Sequence, residues 1–173
     1  HTNAVADLAA EIGHAIGQPP EWCERLRQAA RLHDIGKVAV SDSVLLKPGP
    51  LTIEEYDEVK HHTVLGRRLL SGVDTELFRL AAEVAWSHHE WWDGSGYPNG
   101  LGGNAIPLSG RIVAIADVFD SLTTRHVYKS EWNVAETVRF IMSGSATQFE
   151  PDLVTAFVTV MVARHPEIAD DLG

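Results

Sequence analysis

Histidines and aspartates are the residues of this chain whose types and spacing suit metal chemistry. There are nine histidines but only one cysteine. Imidazole and carboxylate together form a ligand set that suits divalent ions such as zinc, iron and manganese, whereas a thiolate site needs several cysteines. Sorting by context gives the following candidate ligands: His1, His33, Asp34, one of the adjacent pair His61 and His62, His88, His89 and Asp117.

Five histidines and two aspartates are too many ligands for one tetrahedral site. They suit two ions bridged by a carboxylate, and ions about 3.5–4 Å apart can activate water and hold the oxygens of a phosphate during in-line attack. Lys37 follows Asp34 by three residues, on the same helical face, and could meet a phosphate oxygen. Asp117 lies in the apolar segment RIVAIADVFDSL, where an unpaired carboxylate would be costly and a metal ion would compensate it.

The elements that position these side chains are predicted to be helices, because apolar residues such as Val5, Leu8 and Ile12 recur at three- and four-residue steps. The predicted fold class is all-α, an HD-type bundle of about seven helices with one Gly-rich loop before Ser109. The first two predicted helices cover about 3–16 and from Pro20 to Ile35–Gly36. The third begins after Thr52 and carries both His61 and His62, and the fourth covers about 75–89. Three more begin at Ser109, Asn133 and Pro151. The segment SDSVLLKPGPLT is predicted to be a loop with one short helical turn.

Composition limits the classes of function. A chain of 173 residues, 45% of them hydrophobic, fits one globular domain, residues 1–173. A net charge of −10 argues against binding a nucleic acid polymer, and no apolar run predicts membrane contact by this segment. The single Cys23 favours the cytoplasm. Because the sequence opens on His1 without methionine, we expect a segment of a longer chain with an N-terminal regulatory region.

Three segments closely resemble the HD-GYP phosphodiesterases of bacterial signalling: HDIGK at 33–37, HHEWWDGSGYP at 88–98 and IADVFDSLT at 115–123. The resemblance implies an all-helical HD domain that hydrolyses cyclic di-GMP to pGpG or GMP. It implies two divalent ions, iron or manganese by preference, with other divalent ions and a third ion left open. It also implies two candidate partners: signalling domains, contacted through the GYP loop, and a second copy of the chain.

The resemblance assigns roles residue by residue. It implies metal ligands at His1, His33, Asp34, His62, His88, His89 and Asp117, with Asp34 as the bridging carboxylate, and it selects His62 over His61. Asp34 and Lys37 match the catalytic residues, and the substrate contacts fall on Lys37, Tyr97, His126 and Lys129. Glu90 is left as a supporting or surface residue. By their context in the sequence, His14, His61, His126 and His165 are interpreted as helix caps or surface groups and not as metal ligands.

The chain departs from the family pattern at two places. His126 stands where the family has arginine, in RHVYK at 125–129, and a neutral imidazole lacks the charged bidentate fork of arginine. Ala146 and Glu150 replace a glycine and an aspartate, which we interpret as minor changes. The departure at His126 keeps alternatives open: a cyclic-dinucleotide sensor with little turnover, or an HD phosphohydrolase of another nucleotide. A metal that only holds the helices together is disfavoured.

Overall fold

The computed structural model describes residues 1–124 and 132–172. Within those residues the chain is all-α, as predicted, with only two isolated β-bridges. The α-helices are α1 Thr2–Ala15, α2 Pro20–Ala30, α3 Asp42–Leu45, α4 Ile53–Lys60, α5 His62–Leu70, α6 Glu76–Ser87, α7 Leu108–Thr123, α8 Val134–Ser143 and α9 Pro151–Arg164. Three short 3₁₀ helices lie at Ile35–Ala39, Gly103–Ala105 and Pro166–Asp171.

The described residues form nine α-helices where about seven were predicted, for two local reasons. The segment predicted as a loop with a helical turn contains α3. The predicted third helix is divided into α4 and α5 at His61, whose amide donates to the Glu58 carbonyl only three residues back. The prediction also ran α2 too far. It ends at Ala30, and the amide of His33 bonds the Ala30 carbonyl in a tighter, three-residue turn.

The apolar core lies between α1, α2, α6, α7, α8 and α9. Its fully buried side chains include Leu8, Ile12, Leu26, Ile112 and Phe157. By contrast, α4 buries none of its own residues and packs mainly beside α3 and α5. The helices of the core therefore form the rigid frame, while α4 is a peripheral helix next to it. No described helix is long and apolar enough to cross a membrane.

Two glycines bring the helices that carry the candidate ligands unusually close. A Cβ placed on Gly36 would lie 1.9 Å from the His62 carbonyl oxygen, at the start of α5. A Cβ on Gly110 would lie 2.1 Å from Ser87 Oγ, at the end of α6. Any larger residue would force these elements apart. Gly36 therefore sets the spacing between α5 and the turn that carries His33 and Asp34, and Gly110 sets the spacing between α6 and α7.

Candidate metal centre

The seven residues predicted as ligands lie together in two groups. The first contains Asp34, His62, His88 and His89, and the second contains His1, His33 and Asp117. Within each group, one ligand atom from each residue lies within 4.8 Å of the others. Five imidazole rings form a continuous cluster, with centroids 4.1 Å apart for the pair His88 and His89 and 5.2 Å apart for His33 and His88.

Different elements contribute these side chains. His1 precedes α1, and His33 and Asp34 occupy the turn between α2 and the 3₁₀ helix Ile35–Ala39. His62 is the first residue of α5, and Asp117 lies in the middle of α7. His88 and His89 follow the last turn of α6. Helix ends that meet one buried helix thus bring together residues that lie far apart in the sequence.

Asp34 faces both groups at once. Its Oδ1 lies 3.3 Å from His62 Nε2 and 3.9 Å from His88 Nε2. Its Oδ2 lies 3.4 Å from Nε2 of His33, which belongs to the second group. Asp117 Oδ1 completes the second group, 3.6 Å from His33 Nε2 and 3.5 Å from His1 Nε2. One carboxylate is therefore placed to bridge two sites.

Three of the imidazoles are oriented by their own backbone. Nδ1 of His33 is 2.7 Å from the Ala30 carbonyl oxygen, Nδ1 of His62 is 2.6 Å from that of Val59, and Nδ1 of His88 is 3.0 Å from that of Val84. A carbonyl oxygen can only accept, so each Nδ1 donates. In a neutral ring this leaves the lone pair on Nε2, which faces Asp34 and can bind a metal.

Two atoms of this cluster are buried without a hydrogen-bond partner among the described residues: His33 Nε2 and Asp34 Oδ1. Buried polar atoms normally have such a partner, because leaving one unpaired costs free energy. Both atoms face the other ligands, and both are good donors to a divalent ion. The residues present therefore fit metal ions, which would satisfy both atoms.

The two groups differ in their electrostatics. Burial alone would lower the pKa of His33, but the carboxylates of Asp117 and Asp34 outweigh it and raise that pKa to about 10. Burial lowers the pKa of His62 and of His89, and lowers that of His88 to about 4. The imidazoles of the first group are therefore neutral. In the second group, the carboxylates beside His33 favour a positive charge.

Lys37 and Asp34 form an ion pair at the opening of the centre. Lys37 Nζ lies 2.5 Å from Asp34 Oδ2, and the lysine side chain is about two-fifths exposed, at 41%. Burial opposes ionisation of Asp34, yet the positive groups of His33 and Lys37 hold its pKa well below the usual range. The ammonium group is therefore both close to the ligands and accessible to a bound anion.

Tyr97 of the Gly-rich loop lies against the first group. Its ring stacks on His89 with centroids 4.8 Å apart and planes 24° apart, and its amide donates to the His89 carbonyl oxygen. Burial raises the pKa of the Tyr97 phenol, and nearby Tyr56 and the carboxylates of the centre raise it further. The phenol therefore keeps its proton and can donate a hydrogen bond.

A family model described as HD domain matches residues 1–153. The chain belongs to the HD domain family. The match confirms the resemblance carried by HDIGK and the two later segments. It also accounts for the buried histidine and aspartate cluster, which is the part of the HD domain suited to divalent ions.

Curated relatives of this HD domain are phosphodiesterases of cyclic dinucleotides. The chain is 44% identical over 158 residues to a cyclic di-GMP phosphodiesterase of Thermotoga maritima, covering 91% of this chain and 43% of that protein. It is 42% identical over 154 residues to a 3′3′-cGAMP-specific phosphodiesterase 2 of Vibrio cholerae, covering 89% and 30%. The chain thus spans less than half the length of these relatives.

A solved structure has the same fold. It is described as an HDG"Y"P protein from Bdellovibrio bacteriovorus, and it matches 93% of this chain and 51% of its own with a TM-score of 0.72. The sequence identity is 18%, so the likeness concerns the fold of the HD domain alone.

Asp120 is a supporting residue that was not predicted, and Glu90 is a second supporting residue. Asp120 Oδ2 contacts His1 Nδ1, so a buried carboxylate orients this histidine from the opposite side of the ring. Its position three residues after Asp117, on the same helical face, is a signal that could have found it. Glu90 was left between a supporting and a surface role. It is 2% exposed and accepts hydrogen bonds from the amides of Asn99 and Leu101, which tie down the Gly-rich loop.

The remaining predicted positions divide into two sets. His14 and His61 are exposed, and His165 lies 3.3 Å from Glu167, in keeping with their interpretation as surface groups. His126 and Lys129, the two further substrate contacts implied by the resemblance, lie outside the described residues.

Proposed function

We propose that this HD domain is a metal-dependent phosphodiesterase that hydrolyses cyclic di-GMP to pGpG or GMP. The observation that carries the proposal is the placement of Asp34, whose two oxygens face two separate groups of histidine and carboxylate ligands. A phosphodiester under in-line attack needs charge stabilisation on several oxygens, and a two-ion centre meets that need.

One ion would be held by Asp34, His62, His88 and His89, and the other by His1, His33, Asp34 and Asp117. Iron or manganese is the metal we propose, since imidazole and carboxylate donors suit both. When bound, the ions would supply Lewis acidity and an activated water nucleophile. In this assignment Asp34 would be the ligand shared by both ions, and Asp120 would keep the His1 ring oriented.

The protein side chains would position the phosphate and stabilise its charge. Lys37 is placed to approach a non-bridging phosphate oxygen as a point charge, where it would stabilise negative charge that develops during attack. Tyr97, which stays protonated, would donate a hydrogen bond from the loop side. Glu90 would keep that loop in place through its two backbone hydrogen bonds.

Cyclic di-GMP is the proposed substrate because its hydrolysis is named for the Thermotoga relative and because the HDIGK and GYP segments resemble enzymes of that class. We place the reaction in the cytoplasm, a reducing compartment that suits the buried free Cys23. Homodimerisation, and contact of the Gly-rich loop with signalling domains, remain proposals from the family resemblance.

The test is turnover by protein purified without oxygen and loaded with iron or manganese. We expect conversion of cyclic di-GMP, with the products identified by mass spectrometry, and loss of conversion in Asp34→Asn. Binding of cyclic di-GMP without conversion would contradict the proposal and indicate a sensor.

The adjacent histidines provide a matched pair of variants for the ligand assignment. His62→Gln should lower the metal content, because His62 Nε2 faces Asp34. His61→Gln should keep the metal content of the unmodified protein, because His61 is exposed and its Nδ1 bonds the Asp57 carbonyl oxygen. Equal metal loss in both variants would refute the assignment.

A further inference from the structure

A groove lies beside the candidate metal centre, between the α4–α5 junction and the Gly-rich loop. Its volume is about 320 Å³, and its lining includes Asp57, Lys60, Val64, Tyr97 and Pro98. Tyr97 belongs to both places, because its ring also stacks on His89. A nucleotide whose phosphate is held at the centre would therefore have this groove next to it for one of its bases.

An ion pair and one aromatic ring, that of Tyr97, line the groove, and the ring of Tyr56 lies next to them. Lys60 Nζ lies 2.6 Å from Asp57 Oδ1, and it lies 5.0 Å from the ring centroid of Tyr56 and 6.0 Å from that of Tyr97. The two tyrosine rings meet edge to face with centroids 6.4 Å apart. Aromatic rings of this kind offer stacking surfaces for a base.

This arrangement of Tyr56, Asp57, Lys60 and Tyr97 contributes little to the stability of the fold. Tyr56 is 47% exposed, and α4 buries none of its residues. Exposed ion pairs three or four residues apart on a helix contribute only about 0.3–0.5 kcal/mol. A charged pair and two tyrosines gathered at the edge of a ligand cluster are therefore better explained by what they could bind.

The polarity of the ion pair matches one purine. Guanine offers an accepting O6 beside donors at N1 and N2, so an ammonium group can donate to O6 while a carboxylate accepts from the two N–H groups. Adenine reverses this pattern at the same edge, with a donating N6 amino group and a bare N1. Lys60 would then face a donor, and Asp57 would face a lone pair.

We propose that Asp57 and Lys60 read the base edge of guanine in this groove and so determine the substrate specificity of the enzyme. The inference rests on the proposed function, because it assumes that a cyclic dinucleotide is held at the metal centre. It goes further by assigning base selection to α4, a helix outside the ligand set.

The first test compares kcat/KM for cyclic di-GMP, which always offers a guanine to the groove, with kcat/KM for cyclic di-AMP, which has none. The ratio should fall about tenfold in Asp57→Asn, which exchanges an accepting oxygen for a donating amide, and by a similar factor in Lys60→Met. Glu54→Gln is the matched control: it neutralises an exposed carboxylate in the first turn of the same helix and should leave the ratio unchanged. A ratio that stays constant in both groove variants would overturn the proposal.

The second test uses the inequivalent phosphodiester bonds of 3′3′-cGAMP. A groove that accepts guanine and disfavours adenine should orient this molecule one way, so early hydrolysis should give mainly one of the two linear dinucleotides. Asp57→Asn should bring the two products towards equal amounts, while Glu54→Gln should keep the excess. Equal amounts from the unmodified protein would overturn the inference about the groove.

The outcomes separate the two proposals. If the unmodified, metal-loaded protein hydrolyses no cyclic dinucleotide, the proposed function fails. If it hydrolyses cyclic di-GMP but neither the ratio nor the products respond to Asp57→Asn, only base reading by α4 fails.

Discussion

Replacing Gly36 by alanine should disrupt the metal centre without touching any ligand. The new Cβ would lie 1.9 Å from the His62 carbonyl oxygen and 2.6 Å from the Gly66 amide nitrogen. Moving that oxygen out to 3.0 Å, the shortest separation that such a contact tolerates, displaces the start of α5 by about 1 Å. Metal–ligand distances tolerate only about 0.2 Å, so His62 would no longer share an ion with Asp34.

The expected size of the effect follows from the same contact. Forcing a methyl group into a packed interior costs roughly 1–3 kcal/mol, which for a chain of this size lowers the midpoint of thermal unfolding by roughly 2–12 °C. We therefore expect Gly36→Ala to fold, to unfold at a lower temperature, and to bind one ion fewer. Metal content by mass spectrometry, thermal unfolding and cyclic di-GMP turnover measure the three effects.

Gly72→Ala is the control for this substitution. It adds the same methyl group at the end of α5, where the nearest atom, the Leu69 carbonyl oxygen, is 3.8 Å away. We expect it to keep both the metal content and the turnover. If Gly36→Ala binds as much metal as Gly72→Ala and unfolds within 2 °C of it, the close approach does not set the ligand spacing and the reasoning is wrong.

Three other predictions concern backbone strain, proton release and the loop. Ala146 has φ of 64°, and relieving that left-handed conformation with Ala146→Gly should raise the free energy of unfolding by about 0.5–1 kcal/mol; an unchanged or lower thermal midpoint would contradict this. Because the pKa of His33 is raised to about 10, the metal-free chain carries a proton there at pH 8. Binding of an ion at His1, His33 and Asp117 should therefore release about one proton. The affinity for the ion should rise about tenfold per pH unit between pH 7 and 9. Calorimetry in buffers of different ionisation enthalpy measures this release, and binding without proton release would count against the assignment. Glu90→Gln weakens the acceptor for the amides of Asn99 and Leu101, so KM for cyclic di-GMP should rise while metal content is kept; an unchanged KM would show that the loop is held by other contacts.

The sequence predicted the helices best where their signals are local. The capping boxes Thr52–Glu55 and Asn133–Glu136 begin α4 and α8 as expected, and Pro151 opens α9. The division at His61 and the early end of α2 were missed because both depend on which carbonyl an amide selects, three or four residues back. That choice is made by tertiary packing, here by the close approach of the Gly36 turn to α5.

The candidate ligands could be found from residue type and motif, but their grouping could not. Nothing in the sequence divides seven residues into sets of four and three, or shows Asp34 facing both. The contact between His1 and Asp120 joins residues 119 positions apart, and only the packing of α1 on α7 creates it. Nothing in the sequence shows that Lys60 and Tyr56 lie beside Tyr97, because that position follows from the folded path of the Gly-rich loop.

The hydrogen bonds from Nδ1 of His33, His62 and His88 have a consequence for how an ion enters. Each accepting carbonyl belongs to a residue only three or four positions earlier in the chain. Each Nδ1 is therefore held by backbone within three or four residues, independently of the other ligands. The arriving ion meets rings whose rotation is already restricted, so less ordering accompanies coordination.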